Sequence, residues 1–123
     1  MMTGVVTREL EAVLNVRLES AGGRSKTVSA VIDTGLDGFI ALPPDRIAQM
    51  QLPFAGSVCL ALADGNETWF PSFEVIVHWH GQRFVVPAAE MGAGALVGMA
   101  LLYGSRLTMD VLENGPVCIE RIQ

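Results

Sequence analysis

Asp33 is the residue whose surroundings best suit it for chemistry. It follows Ala30-Val31-Ile32, a run with the composition of a core strand, and precedes Thr34-Gly35. A carboxylate at the end of a buried strand needs compensation, because an unpaired charge leaves water at high cost. Thr34 offers a hydroxyl and Gly35 an unhindered N–H. Glycine also lets the chain turn sharply and approach another group closely. A short polar patch in an apolar wall is how enzymes hold an acid in place while shifting its pKa. An isolated Asp-Thr-Gly more often just caps a turn, so the tripeptide needs support from elsewhere in the chain.

Other reactive residue types form weaker patterns. His78 and His80 alternate as metal ligands on one strand would, but no third ligand is near in sequence. Cys59 and Cys118 are far apart without C-x-x-C spacing, and read as buried thiols under reducing conditions. Gly92-Ala93-Gly94 begins like a dinucleotide loop, but Val97 occupies the third glycine position. Neither a metal nor a cofactor is expected.

These residues must be positioned by strands. Leu10, Ala12, Leu14, Val16 and Leu18 are apolar at every second position, the mark of a half-buried strand. A turn at 21–25 leads to a second strand at 27–32, which ends directly at Asp33. Residues 39–42 form a short apolar run stopped by Pro43, and Pro44 starts a short helix reaching Met50. Asp64-Gly65-Asn66 joins strands 58–63 and 67–70, the strongest kind of hairpin signal. His80-Gly81-Gln82 joins 73–79 to 83–87, and Glu113-Asn114-Gly115 joins 107–112 to 117–122. Ala95-Leu96-Val97 is a short apolar strand, and 98–103 a single short helix. The expectation is one domain over 1–123, mostly antiparallel β, closing as a small barrel or sandwich.

Two blocks supply the support that Asp33 needs. Val31-Ile32-Asp33-Thr34-Gly35-Leu36-Asp37-Gly38-Phe39-Ile40-Ala41-Leu42-Pro43 resembles the active-site segment of the small bacterial retropepsin-like aspartic proteases. Ala95-Leu96-Val97-Gly98-Met99-Ala100-Leu101-Leu102 is similar to their second signature, which threads beside the catalytic loop. Leu62-Ala63-Asp64-Gly65 looks like the family's flap hairpin. The retroviral branch differs: it carries a small residue at the position of Leu36, an Arg at that of Met99, and a more glycine-rich flap tip than one with Gly65 alone.

The resemblance implies an all-β, closed acid-protease barrel, with one short helix after the second signature. It implies a homodimer, since this chain has one Asp-Thr-Gly loop and the chemistry needs two carboxylates. Two close carboxylates share one proton. The ionised Asp33 then acts as general base on a bound water while its protonated mate polarises the scissile carbonyl of an extended peptide. In this scheme Thr34 bonds across the dimer and the Gly35 N–H supports the carboxylate. Leu36, Asp37 and Gly38 contact substrate main chain, and Ala63, Asp64 and Gly65 belong to the flap.

Bulk properties narrow the alternatives. Only eight Lys and Arg stand against thirteen Asp and Glu, which argues against nucleic acid as a partner. Residues 91–105 are too short and glycine-broken for a spanning helix. No basic head precedes an apolar N-terminal stretch, so a cytoplasmic protein is expected. Half the residues are hydrophobic, more than a small domain readily buries, and a subunit interface would absorb the excess. The competing functions are a non-catalytic module of the same fold, used for dimerisation or for gripping peptides, and an unrelated barrel that binds an apolar ligand as a monomer.

Overall fold

The computed structural model describes residues 1–92 and 94–123; the Gly92-Ala93-Gly94 segment thus falls partly outside the described residues. Ten strands and two short helices run in the order β1 (Met2–Val6), β2 (Ala12–Glu19), β3 (Ser25–Ile32), β4 (Ile40–Leu42), α1 (Pro44–Met50), β5 (Phe54–Ala61), β6 (Glu67–Trp79), β7 (Gln82–Glu90), β8 (Ala95–Val97), α2 (Met99–Leu102), β9 (Ser105–Met109) and β10 (Pro116–Arg121).

Alternation builds β2, which buries Leu14, Val16 and Leu18 and turns Asn15 and Arg17 to water. Leu10 is not part of it. It sits in a turn with φ +62°, two-thirds exposed, where its N–H donates to the Thr7 carbonyl and the Glu11 N–H to Thr7 Oγ1. Local bonding by a threonine overrides the apolar period there. The expected helix at Pro44 forms, with proline at its start, Asp45 in its first turn and Gln51 in the left-handed region at its end. Hairpins close where turn chemistry demands. His80 and Gly81 both have positive φ between the paired Trp79 and Gln82, the two-residue turn that matches strand twist.

Three strand expectations need correction. The strand expected at 107–112 is β9, which ends at Met109; Val111 and Leu112 are exposed in the turn, where the Leu112 N–H donates to the Asp110 carbonyl. Residues 67–70 and 73–79 are one 13-residue strand, β6, running through Pro71. Proline is tolerated there because Pro71 opposes Ser57 beside a bulge at Gly56, and pairing with β7 begins only at Ser72. The N-terminal segment, with no assigned element in the sequence reading, forms β1. It pairs with β2 on one side and β10 on the other. A side chain at Gly4 would lie 2.0 Å from the Val13 carbonyl oxygen, so only glycine lets β1 lie this close.

Strand order is β5-β6-β7-β4-β8-β3-β2-β1-β10-β9, and β6 also pairs with β2. That additional pairing, Leu18 with Val77 and Glu19 with Ile76, closes β2, β3, β8, β4, β7 and β6 into a six-stranded barrel. The main core fills it with Leu14, Val16, Leu18, Ile40, Leu42, Val75, Val77 and Val97 among others. A second, smaller core of Leu36, Ala41, Leu60 and Ala89 lies under the β5–β6 hairpin. Cys59 and Cys118 are both free and half-buried, rather than buried as the sequence reading has them. No helix among the described residues is long and apolar enough to cross a membrane.

Candidate active site

The loop carrying Asp33 is fixed by the way β8 enters between its two ends. β3 pairs parallel with β8 at Ile32 and Val97, and β8 pairs antiparallel with β4 at Val97 and Ile40. Residues 33–39 therefore cross over the end of β8. The Asp33 N–H continues the ladder by donating to the Val97 carbonyl at 2.8 Å. The chain then turns, with the Leu36 N–H donating to the Asp33 carbonyl at 3.1 Å. The Gly35 N–H donates to Asp33 Oδ1 at 2.9 Å. Asp33 is half-buried, whereas Thr34 and Gly35 are exposed.

Gly98 lies beneath this crossing. A Cβ there would come within 2.2 Å of the Gly38 carbonyl oxygen and 2.9 Å of the Leu36 carbonyl oxygen. With no side chain in the way, the start of α2 docks against the loop. The Gly98 N–H donates to Phe39 O at 3.0 Å, Met99 N–H to Leu36 O at 2.8 Å and Ala100 N–H to Gly38 O at 3.1 Å. The first N–H groups of a helix have no partner within it, and here loop carbonyls take them. Each partner thereby satisfies the other, which holds the loop rigid.

Leu36 and Asp37 tie the same loop to the β5–β6 hairpin. The Leu36 side chain is 4% exposed and packs in the smaller core with Leu60. Its burial, with its carbonyl already taken, makes it a structural anchor. The Ala61 N–H lies 3.3 Å from both Asp37 carboxylate oxygens, at the end of β5. Leu60 also meets Gly38, where an added Cβ would lie 3.0 Å from a Leu60 methyl carbon. The hairpin is thus joined to the loop by its stem, Leu60 and Ala61. Ala63, Asp64 and Gly65 are exposed at its tip. There Asp64 holds the turn, accepting from the Asn66 N–H and side-chain amide at 3.0 Å each. Those two bonds hold its carboxyl below the usual range. An apolar cleft of about 200 Å³ runs between stem and loop, lined by Asp37, Gly38, Val58, Leu60 and Ala89 among others.

The sequence reading brought Asp33 to Gly38 and the Gly98 block together, and the structure joins them through β8. The stem residues Leu60 and Ala61 were not singled out; alternation of Val58 and Leu60 was their only signal. The histidines do not share a site. His78 Nε2 contacts Glu19, and His80 Nε2 contacts Ser105 Oγ at 2.8 Å. Among the described residues, no group of three or more His, Cys, Asp or Glu is placed to hold a metal ion.

The closed six-stranded barrel resembles a retropepsin-like fold. Among solved structures, a retropepsin-like aspartic protease from Rickettsia conorii is similar over 97% of this chain and 89% of its own, with TM-score 0.55 and 15% sequence identity. Likeness at that identity is likeness of fold. No protein-family model matches the chain, and no curated protein does.

Proposed function

We propose that this chain is an aspartic endopeptidase acting as a homodimer, in which each copy contributes one Asp33. The observation that carries this reading is the half-buried Asp33 carboxylate, held by the Gly35 N–H on a loop that Gly98 and α2 brace, in a fold shared with an aspartic protease. One chain has one such loop. Thr34 and Gly35 are exposed beside it, as groups that meet a second copy must be. Two facing Asp33 carboxylates share a proton, so the pair titrates together. The ionised member draws a proton from water; the protonated member polarises the peptide carbonyl. The β5–β6 hairpin closes over an extended peptide and excludes bulk water.

The test is cleavage of an unstructured peptide library from pH 3 to 7, with sedimentation of the same sample. A dimer that cleaves best in acid, is blocked by a statine-type inhibitor and loses activity by roughly 10³-fold or more in Asp33→Asn supports the reading. A folded dimer without cleavage, or undiminished cleavage by Asp33→Asn, sinks it. One observation favours a non-catalytic module instead: the Asp37 carboxylate and the Leu36 and Gly38 carbonyls are already bonded within the chain. In that reading Asp33→Asn leaves peptide affinity intact.

A further inference from the structure

Exposed apolar residues lie on both sides of the Asp33 loop, along one row of strand ends. Ile32 pairs with Val97 on one side. On the other, one step past the Val13–Val31 pair, it lies beside Ala12, which pairs with Val6. The Val6 N–H in turn donates to the Gly115 carbonyl, and Pro116 pairs with Val5. β8, β3, β2, β1 and β10 therefore reach the same row, about 19 Å long at roughly 4.8 Å per strand. The start of α2, the 33–38 loop, the 7–11 turn and the 110–115 turn all border it. On them Met99 is 49% exposed, Leu10 67%, Val111 63% and Leu112 67%. Thr34 and Gly35 are exposed between Met99 and Leu10.

Leu10 sits where an apolar side chain has least local reason to be. Its φ of +62° is a left-handed conformation, which Gly, Asn or Asp adopts at least cost. The bonds that build the turn, Thr7 with Leu10 and with Glu11, use no part of its side chain. Val111 and Leu112 likewise belong to a turn closed by backbone bonds, from the Leu112 N–H to Asp110 and from the Gly115 N–H to Leu112. Arg8, Glu9, Glu11 and Glu113 are exposed around them, which gives an apolar centre a polar rim. The ion pairs among the described residues all centre on Glu19, so Arg8 has no carboxylate partner there.

We infer that this face is where a second copy of the chain docks, with Leu10, Val111 and Leu112 on one side of the Asp33 loop and Met99 on the other as its apolar contacts. The inference rests on the proposed pairing of two Asp33 carboxylates, which brings a second copy against this row. A two-fold axis beside Asp33, lying in the plane of the face, sets apolar against apolar whether it runs along the row or across it. Along the row, the Leu10 side of one copy meets the Leu10 side of the other. Across it, the Leu10 side meets Met99. Phe84, Val85 and Tyr103 form another exposed apolar surface, on a cleft of about 390 Å³, but they flank no residue that needs a second copy.

Sedimentation over a concentration series gives the dimer dissociation constant of each variant. Leu10→Asn and Leu112→Asp each raise it roughly tenfold or more, the scale of a residue at the centre of an interface. Asn suits the left-handed backbone at position 10. Compared as monomers, Leu10→Asn therefore unfolds at or above the native denaturant midpoint, so that a lost dimer is not a lost fold. Val85→Asp, on the other apolar surface, leaves the constant unchanged. An unchanged constant in both Leu10→Asn and Leu112→Asp, or a dimer that Val85→Asp alone dissociates, overturns the inference and leaves the two-Asp33 site standing. A native chain still monomeric at about 100 μM overturns it as well. A native dimer that both leucine substitutions dissociate, but that cleaves no peptide, upholds this face while the peptidase reading fails.

Discussion

Gly98 has as large a part in shaping the candidate site as Asp33 itself. A methyl group there would have to displace the Gly38 carbonyl, 2.2 Å away, as well as the Leu36 carbonyl oxygen and Cγ, each at 2.9 Å. Gly98→Ala is expected to cost about 2–4 kcal/mol in chemical denaturation, in the range of strongly overpacked sites, and to abolish any peptidase activity through the loop. Gly65 is a useful contrast. It has φ +86° but open space around it, so Gly65→Ala costs only about 1 kcal/mol, from backbone strain. Equal costs for the two substitutions would show that the crossing at Gly98 is not tight. Asp33 and Gly98 were picked out in the sequence through the resemblance of their two blocks; the demand for glycine at 98 comes from the Gly38 and Leu36 carbonyls, distant in the chain. The inward anchoring of Leu36 was not legible, because it depends on Leu60, which the chain brings back from the next hairpin.

At the scale of elements, β6 joins regions that the sequence kept apart. Its first half pairs with β5 in the candidate flap, and its second half closes the barrel on β2. The Asp37 carboxylate holds the flap stem through the Ala61 N–H. Asp37→Ala is expected to leave global stability within about 1 kcal/mol, as one exposed bond would. Hydrogen exchange at the Ala61 amide should nevertheless speed up; unchanged protection would mean that Leu60 alone holds the stem. At the barrel seam, Glu19 of β2 meets His78 of β6 and Arg83 of β7, with Arg83 at 3.0 Å. The His78 bond lowers the Glu19 pKa, burial opposes it, and Arg83 lowers it further. A carboxyl whose pKa is lower folded than unfolded stabilises the fold above its unfolded pKa. That contribution is lost as pH falls through the folded value. Denaturation midpoints at pH 7 and pH 3 should therefore fall further for the native chain than for Glu19→Gln; parallel falls would exclude the clasp. The hairpins were readable because their turn residues are local: Asp64-Gly65, His80-Gly81 and Asn114-Gly115. The seam, the continuity of β6 through Pro71 and the strand β1 were not, because each is decided by a partner distant in sequence.

For the whole molecule, one closed barrel carries the Asp33 loop and a second cleft, with Phe39 at the end of that loop and Ala100 of α2 bordering both. Met99, the first residue of that helix, and Tyr103, just past its end, are exposed. The first and last strands are neighbours, with Met2 opposite Ile119 and Val5 opposite Pro116. The order of the strands along the chain is thus separable from their arrangement in space. A circular permutant, with Gln123 linked to Met1 by a few residues and new ends opened between Asp64 and Gly65, keeps all ten strands and every pairing in the ring. It should unfold at nearly the native denaturant midpoint while losing a covalently joined flap tip. Peptidase activity that survives this cut would place substrate closure in the stem rather than in the turn.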